Sequence, residues 1–328
     1  MIKKLDKKDI LIMWELFQNS RIPVSKIAKK VKIPKETIKY RIEQLIKEGI
    51  IKKYHTIADY SKFGFVFYEV FVKLQGIYSD YEKKCFNKLC KDPYLAWLVS
   101  TSGRFSFICC FLVKNPIQFY ESYSFIRELF KNYLKEIVIN VAVEGHQFEY
   151  PFFKQFKYLP IKTKTSPNKK TMDNFGKLNK IDFDLLDLLS ENCRIPIKYI
   201  AQKFKITEKT VKSKIKSLEK KEFITQYTTN IHPGKVGYFY YIMLIRLDHI
   251  DKEIEDYIKD LPEIFYFVKG AGFFDIKAEF YTNSENRIHE IENQLHQRFG
   301  KVIYNVDILY VKKEHFLKYF TKAVRIGI

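Results

Sequence analysis

Two stretches carry side chains suited to recognition chemistry: Lys35, Lys39 and Tyr40 in the first, and Lys209, Lys212, Ser213 and Lys216 in the second. Ammonium groups neutralise phosphates, and hydroxyls exchange hydrogen bonds with phosphates or base edges. The chemistry on offer is therefore the holding of a polyanion. Ile38, Ile42 and Leu45 recur at helical spacing, which leaves Lys35, Glu36, Lys39, Tyr40 and Glu43 on the opposite, wet face. Glu208, Lys209, Lys212, Ser213 and Lys216 take that face in the second stretch. Upstream, Ile27, Ala28 and Val31 mark a shorter helix, joined to the basic one by a tight turn. Such a pair is the helix-turn-helix pattern; taken alone, it suits an ordinary amphipathic pair in an all-α domain equally well.

A repeat separates the two readings. Leu5–Tyr54 aligns with Leu178–Tyr227 without a gap, pairing Asp9 with Asp182, Leu16 with Leu189, Asn19 with Asn192 and Thr37 with Thr210. Arg21-Ile22-Pro23 is repeated as Arg194-Ile195-Pro196, and Gly64 and Gly237 extend the register. A repeat this long is a duplicated domain pair rather than a solenoid unit. Each copy begins with an amphipathic helix (Leu5, Asp9, Ile12, Leu16 and their counterparts), and Pro23 and Pro196 are expected in the first turn of the next helix.

Charge follows the repeat. The chain has 328 residues and a net charge of +20. Residues 1–54 hold 15 basic and 6 acidic groups, residues 178–227 hold 11 and 7, and residues 154–177 hold 7 and 1. What remains is nearly neutral, so the positive charge belongs to the two candidate readers and the segment between them. No helix sets a large apolar face beside those lysines, which argues against a membrane surface. The longest apolar runs, such as Phe105–Val113, are strand-length, and the polar N-terminus lacks a secretory segment. Five cysteines with no CxxC spacing suggest neither a zinc site nor a disulfide framework, and the expected setting is the reduced cytoplasm. The seven histidines have no paired spacing for a metal, and no phosphate loop or nucleophilic triad is present, so no metal or cofactor is expected.

After each basic module the hydrophobic period changes. Phe65–Leu74, Leu95–Val99, Phe105–Val113 and Ile137–Val143 read as strands, with helices over Asp80–Cys90 and Ile117–Asn132. The second copy gives strands Tyr238–Leu247, Phe265–Val268, Phe274–Tyr281 and Val302–Val311, with helices Asp251–Lys259 and Ser284–Phe299. Both are β-α-β-β-α-β, the ferredoxin-like order. The expected fold is α+β: helix-turn-helix, winged-helix-like modules at 1–54 and 178–227, ferredoxin-like domains at 55–157 and 228–328, and a lysine-rich linker at 158–177.

This arrangement resembles, twice over, the Lrp/AsnC (feast/famine) family of prokaryotic transcription regulators. The family's opening pattern matches Leu5-Asp6, Asp9, Ile12, Asn19, Arg21 and Ile22, and in the second copy Leu178, Asp182, Leu185-Leu186, Asn192, Arg194 and Ile195. Its recognition-helix ending matches Arg41-Ile42, Leu45 and Gly49-Ile50-Ile51; in copy two Lys214 replaces Arg41 and Glu222 replaces Gly49, so that helix is expected to end differently. The resemblance implies a sequence-specific regulator of double-stranded DNA, with Arg21, its counterpart Arg194, Arg41 and Lys214 as phosphate clamps or structural surface charges. It also implies an amino-acid-like effector near a Gly-x-aromatic-Asp turn. That turn is Gly272-Phe273-Phe274-Asp275 in copy two and Gly103-Arg104-Phe105-Ser106, without the carboxylate, in copy one. The alternative is that these glycines serve only the turn. Two rivals remain: an architectural DNA-compacting protein, and an enzyme like the fused sirohaem decarboxylases. The latter carry a histidine at the corresponding turn, and neither turn here has one. With both copies on one chain, an intrachain pseudo-dimer is expected, with further homo-oligomerisation open.

Overall fold

Asp6 opens the first helix by accepting the Asp9 amide at 2.8 Å, an N-cap that satisfies one of the helix's free donors. In the computed structural model, which describes residues 5–154, 163–164 and 178–326, three helices follow: α1 (Lys7–Gln18), α2 (Val24–Val31) and α3 (Lys35–Lys47). Ile12, Leu16, Ile27, Ile38 and Leu45 are fully buried between them. Pro23 stands one position before α2, as its N-cap, rather than inside the first turn expected for it, and Pro34 stands likewise before α3. A strand β1 (Ile51–Ala58) leaves the module.

Copy one then forms β2 (Val66–Leu74), α4 (Ser79–Leu89), β3 (Leu95–Ser102), β4 (Phe107–Val113), α5 (Pro116–Phe130) and β5 (Leu134–Gln147). Asn115 caps α5 through the Gln118 amide at 3.0 Å, with Pro116 directly after it. A single turn α6 (Pro151–Lys154) follows. The expected linker lies outside the described residues, except for a two-residue strand β6 (Thr163–Lys164) against the end of β5.

Copy two repeats the order as α7 (Lys180–Glu191), α8 (Ile197–Phe204), α9 (Glu208–Lys220), β7 (Ile224–Ile231), β8 (Phe239–Leu247), α10 (Lys252–Asp260), β9 (Ile264–Gly272), β10 (Ile276–Thr282), α11 (Glu285–Phe299) and β11 (Ile303–Leu317), ending in α12 (Lys322–Ile326). Within each copy the sheet order is that of a ferredoxin-like domain: β5-β2-β4-β3 and β11-β8-β10-β9. Glu222 corrects one expectation. It takes the same left-handed backbone as Gly49 (φ 57° against 71°), so α9 ends as α3 does.

Two strands run longer than their apolar patterns. β5 pairs with β2 through residues 134–142, then with β9 of the other copy through 140–147. β11 does the reverse, pairing with β8 and then with β3. These crossings join the two sheets edge to edge, and eight strands close on themselves. Helices α4 and α5 cover one outer face and α10 and α11 the other. One part of the interior is packed by Phe71, Phe105, Ile108, Cys110, Phe274 and Leu309. Cys109 points instead to the helix side, as alternation along β4 requires.

The crossings also exchange partners. Tyr150 and Phe153, delivered by β5, enter the core of the first helical module beside Trp14 and Phe17, with ring centroids 5.3–5.6 Å apart. That core rests on Ile231 and Tyr281 of copy two. Phe320 and Val324, delivered by β11, pack the second module onto Phe63, Phe65 and Leu112 of copy one. Each reading head sits on the other copy's α/β domain.

Candidate nucleic-acid interface

The reading faces depend on how α3 and α9 are held. The Arg41 guanidinium reaches back from α3 to Asp6 and Asp9, 2.8 Å from each carboxylate. Lys214 makes the corresponding reach from α9 to Asp182 at 2.8 Å and to Asn179 at 3.4 Å. Asp6 carries the electrostatic mark of this. Burial pushes its carboxyl up, but the Asp9 amide and Arg41 outweigh that and hold its pKa below the usual value. Arg41 and Lys214 tie each reading helix to the first helix of its module, the structural role that stood beside the phosphate-clamp reading.

Arg21 and Arg194 are likewise bonded within the protein. β1 and β7 pair antiparallel, joining the two modules through Tyr54↔Thr229 and Thr56↔Tyr227. Across this junction Arg21 donates to the Cys193 carbonyl at 2.6 Å, and Arg194 donates to the carbonyls of Ser20 and Ile22. Each guanidinium also lies over a tyrosine of the joint, Arg21 over Tyr227 at 5.4 Å and Arg194 over Tyr54 at 5.3 Å. Backbone bonds complete the exchange, Ser20 N to Tyr227 O at 3.0 Å and Cys193 N to Tyr54 O at 3.2 Å. The arginine forks lock one reading head to the other. Arg21→Ala and Arg194→Ala are each expected to lower stability by about 1–3 kcal/mol, because a carbonyl at the joint loses a charged donor. Thermal unfolding checks this, and the salt dependence of DNA binding should keep its slope, which loss of a phosphate contact would reduce.

With those four residues committed, the outward groups stand clear. Lys35, Tyr40, Lys209, Ser213 and Lys216 are exposed and have no hydrogen-bond or ionic partner among the described residues, and Tyr40 is 62% exposed. Lys39 touches Glu36 at 3.1 Å and Lys212 touches Glu208 at 4.0 Å. Exposed pairs of this kind are weak and exchange readily for a phosphate. Two further exposed lysines, Lys32 and Lys205, were not among the expected contact residues. They occupy the turns before α3 and α9 in left-handed conformations (φ 57° and 54°), both exposed. Their signal was a lysine kept in both copies where glycine or asparagine is the low-cost residue.

The glycine turns do structural work. A Cβ on Gly103 would lie 2.7 Å from the Ile308 carbonyl oxygen of β11, and one on Gly272 would lie 2.8 Å from the Ile139 carbonyl oxygen of β5. Asp275 accepts the Leu247 amide at 2.8 Å, and Ser106 accepts the equivalent Leu74 amide at 3.0 Å. The carboxylate and the hydroxyl close the same strand end, the turn role that stood as the alternative to an effector site on Gly103, Ser106, Gly272 and Asp275. No cluster of metal-ligating side chains occurs among the described residues.

Comparison with known proteins agrees with this geometry. Residues 5–52 and 178–225 each match a winged helix-turn-helix DNA-binding family model. The chain is 30% identical over 141 residues to an HTH-type transcriptional regulator of Pyrococcus abyssi, spanning 88% of that protein. It is 30% identical over 107 residues to the HTH-type transcriptional regulator LrpA of Pyrococcus horikoshii, spanning 68% of it. For two further curated regulators, one of Pyrococcus furiosus and one of Pyrococcus abyssi, each 39% identical, the match spans 41% and 50% of the relative's length. Among solved structures, the sirohaem decarboxylase NirDL superposes with a TM-score of 0.63 at 12% identity, over 98% of this chain and 97% of that one. At that identity the likeness is one of fold.

Proposed function

The chain belongs to the Lrp/AsnC family of helix-turn-helix transcription regulators, with the whole unit present twice, and from that premise we propose that it binds double-stranded DNA in a sequence-specific way through α3 and α9. The observation that carries this is the division of labour among the basic residues. Arg21, Arg41, Arg194 and Lys214 are bonded inside the protein, while Lys35, Lys39, Lys209, Lys212 and Lys216 face water on both reading helices. Lysines kept outward on the second helix of a helix-turn-helix pair are placed for phosphates and for base edges in the major groove.

An electrophoretic shift with genomic fragments tests the reading; absence of any complex at low salt would sink it. Lys39→Ala and Lys212→Ala should each weaken binding with little change in thermal stability. For each lost phosphate contact the slope of log affinity against log salt should fall by about one unit. Loss of folding in either variant would mean that the helix faces are assigned wrongly. A genome-wide footprint separates a local regulator from a protein that coats DNA broadly.

The fold shared with a sirohaem decarboxylase supplies the second reading. Against it, the turns at 101–105 and 270–274 contain no histidine, and a decarboxylase has no use for lysine-rich reading helices. Incubation with sirohaem, followed by its absorption spectrum, decides whether it is turned over.

A further inference from the structure

Between the packed part of the barrel and the β1–β7 joint lies a cavity with about 1020 Å³ of atom-free space, counted with its mouth. Its walls are largely aromatic, including Phe67, Trp97, Tyr240, Phe265 and Tyr266. Two polar side chains on opposite elements line it without hydrogen-bond partners among the described residues. His55, from β1, is 3% exposed and neither ring nitrogen is bonded; Gln147, from β5, is 5% exposed and its Oε1 is unbonded. Burying such groups unpaired is costly, and they are normally satisfied by protein, water or ligand. His55 is neutral, since burial pushes its pKa down to about 3. Its ring is stacked on Tyr319 at 5.1 Å and 9°, which fixes its orientation.

The charge on the wall limits what can enter. Lys277 is 2.5 Å from Glu69 and 3.2 Å from Glu279, and Glu279 also accepts the Tyr240 hydroxyl at 2.5 Å. Two carboxylates thus share one ammonium. The other lining ions are already paired: Glu314 with Lys52 at 3.2 Å, and Lys318 with Asp187 at 2.9 Å. An anionic ligand would find no uncommitted cation on this wall, since Lys277 is held by Glu279 and by Glu69 outside the lining, and Lys318 by Asp187.

The cavity is also asymmetric. Through the strand registers, Lys277 of β10 occupies the position of Ile108 in β4, Glu279 that of Cys110, and Glu69 of β2 that of Ile242 in β8. Each member of the ionic group faces the core where the other copy has an apolar residue. Two identical subunits cannot make this arrangement; it requires two copies that differ in sequence.

We propose that this cavity is a binding site for a neutral, flat heteroaromatic molecule of the nucleobase class, held between aromatic walls with its donor and acceptor edges on His55 and Gln147. Neutral imidazole and a primary amide each offer both a donor and an acceptor, which suits a ring carrying N–H groups and ring nitrogens. The site does not depend on the DNA-binding reading, and its test contains no DNA.

The test is calorimetric titration of the full chain with adenine and with hypoxanthine, using benzoate as an anionic ring of similar flatness. At least one base should bind, quenching Trp97 fluorescence, while benzoate binds at least tenfold more weakly. His55→Phe keeps the stacking and removes both nitrogens; Gln147→Leu removes the amide. Each should weaken base binding about tenfold. The His55→Phe protein should unfold at the same temperature as the parent or higher, because it no longer buries unpaired nitrogens. Failure of both bases to bind at millimolar concentration would overturn the proposal. So would binding unaffected by either variant, benzoate binding as tight as the bases, or a His55→Phe protein that loses stability.

Discussion

Replacing Lys277 with methionine is expected to cost about 3–5 kcal/mol at neutral pH, because it leaves carboxylates buried without their cation. Lys277 is 2% exposed and Glu69 is 0% exposed. Burial by itself would lower the lysine's pKa, but Glu69 and Glu279 reverse this and hold it above the ordinary value, so the ammonium is charged throughout the working range. For Glu279, burial raises the pKa and Lys277 opposes the rise; removing the lysine raises it further. The folded variant then binds a proton more tightly than the unfolded chain does, so its stability grows as pH falls through the raised pKa and shrinks as pH rises. Denaturant unfolding should therefore show a defect that is large at pH 8 and smaller at pH 5. Replacing Glu69, Lys277 and Glu279 together by apolar residues of similar volume should restore stability to near the parent value. A defect of equal size at both pH values would mean that lost packing, rather than unpaired charge, causes it.

Selection of bound sequences from a random pool is expected to return an operator whose two halves differ. A symmetric dimer presents one reading face twice and favours a palindrome. Here the antiparallel β1–β7 pair and the reciprocal arginines join two different faces on a single frame. Tyr40 stands where the second face has Ser213, Lys35 where it has Glu208, and Glu36 where it has Lys209. Half-sites about 10 bp apart are expected, with each mismatched pair costing about 1–3 kcal/mol. Tyr40→Ser should relax the preference in one half-site and leave the other unchanged. A perfectly palindromic consensus would instead show that the reading unit is built from equivalent heads of two chains.

Much of the molecule was legible in the residues because local physics specifies it. Helical spacing of Ile38, Ile42 and Leu45 set the face of α3, and period-two patterns set the interior of each sheet. Asn115-Pro116 announced α5 by its capping chemistry. The outward lysines followed from the same periodicity, since a residue opposite a buried stripe must face water. The repeat carried all of this into the second half.

Four features were settled only by the tertiary structure. The sequence marked Arg21 and Arg194 as repeated cations, but nothing local distinguishes an arginine aimed at phosphate from one aimed at a carbonyl of the other copy. Strand patterns stopped at Val143 and Val311, because residues beyond them pair across the copies with a different mix of polar neighbours, and β5 and β11 run on to Gln147 and Leu317. The exchange of reading heads was equally hidden, for an apolar face states that it must be covered and not by what. The cavity is the clearest case. His55, Gln147, Lys277, Glu69 and Glu279 are scattered over more than two hundred residues, and each looks like an ordinary strand residue in its own segment. Only closure of the barrel brings His55, Gln147, Lys277 and Glu279 around one cavity, with Glu69 against Lys277, where the removal of water makes their hydrogen bonds and charges count.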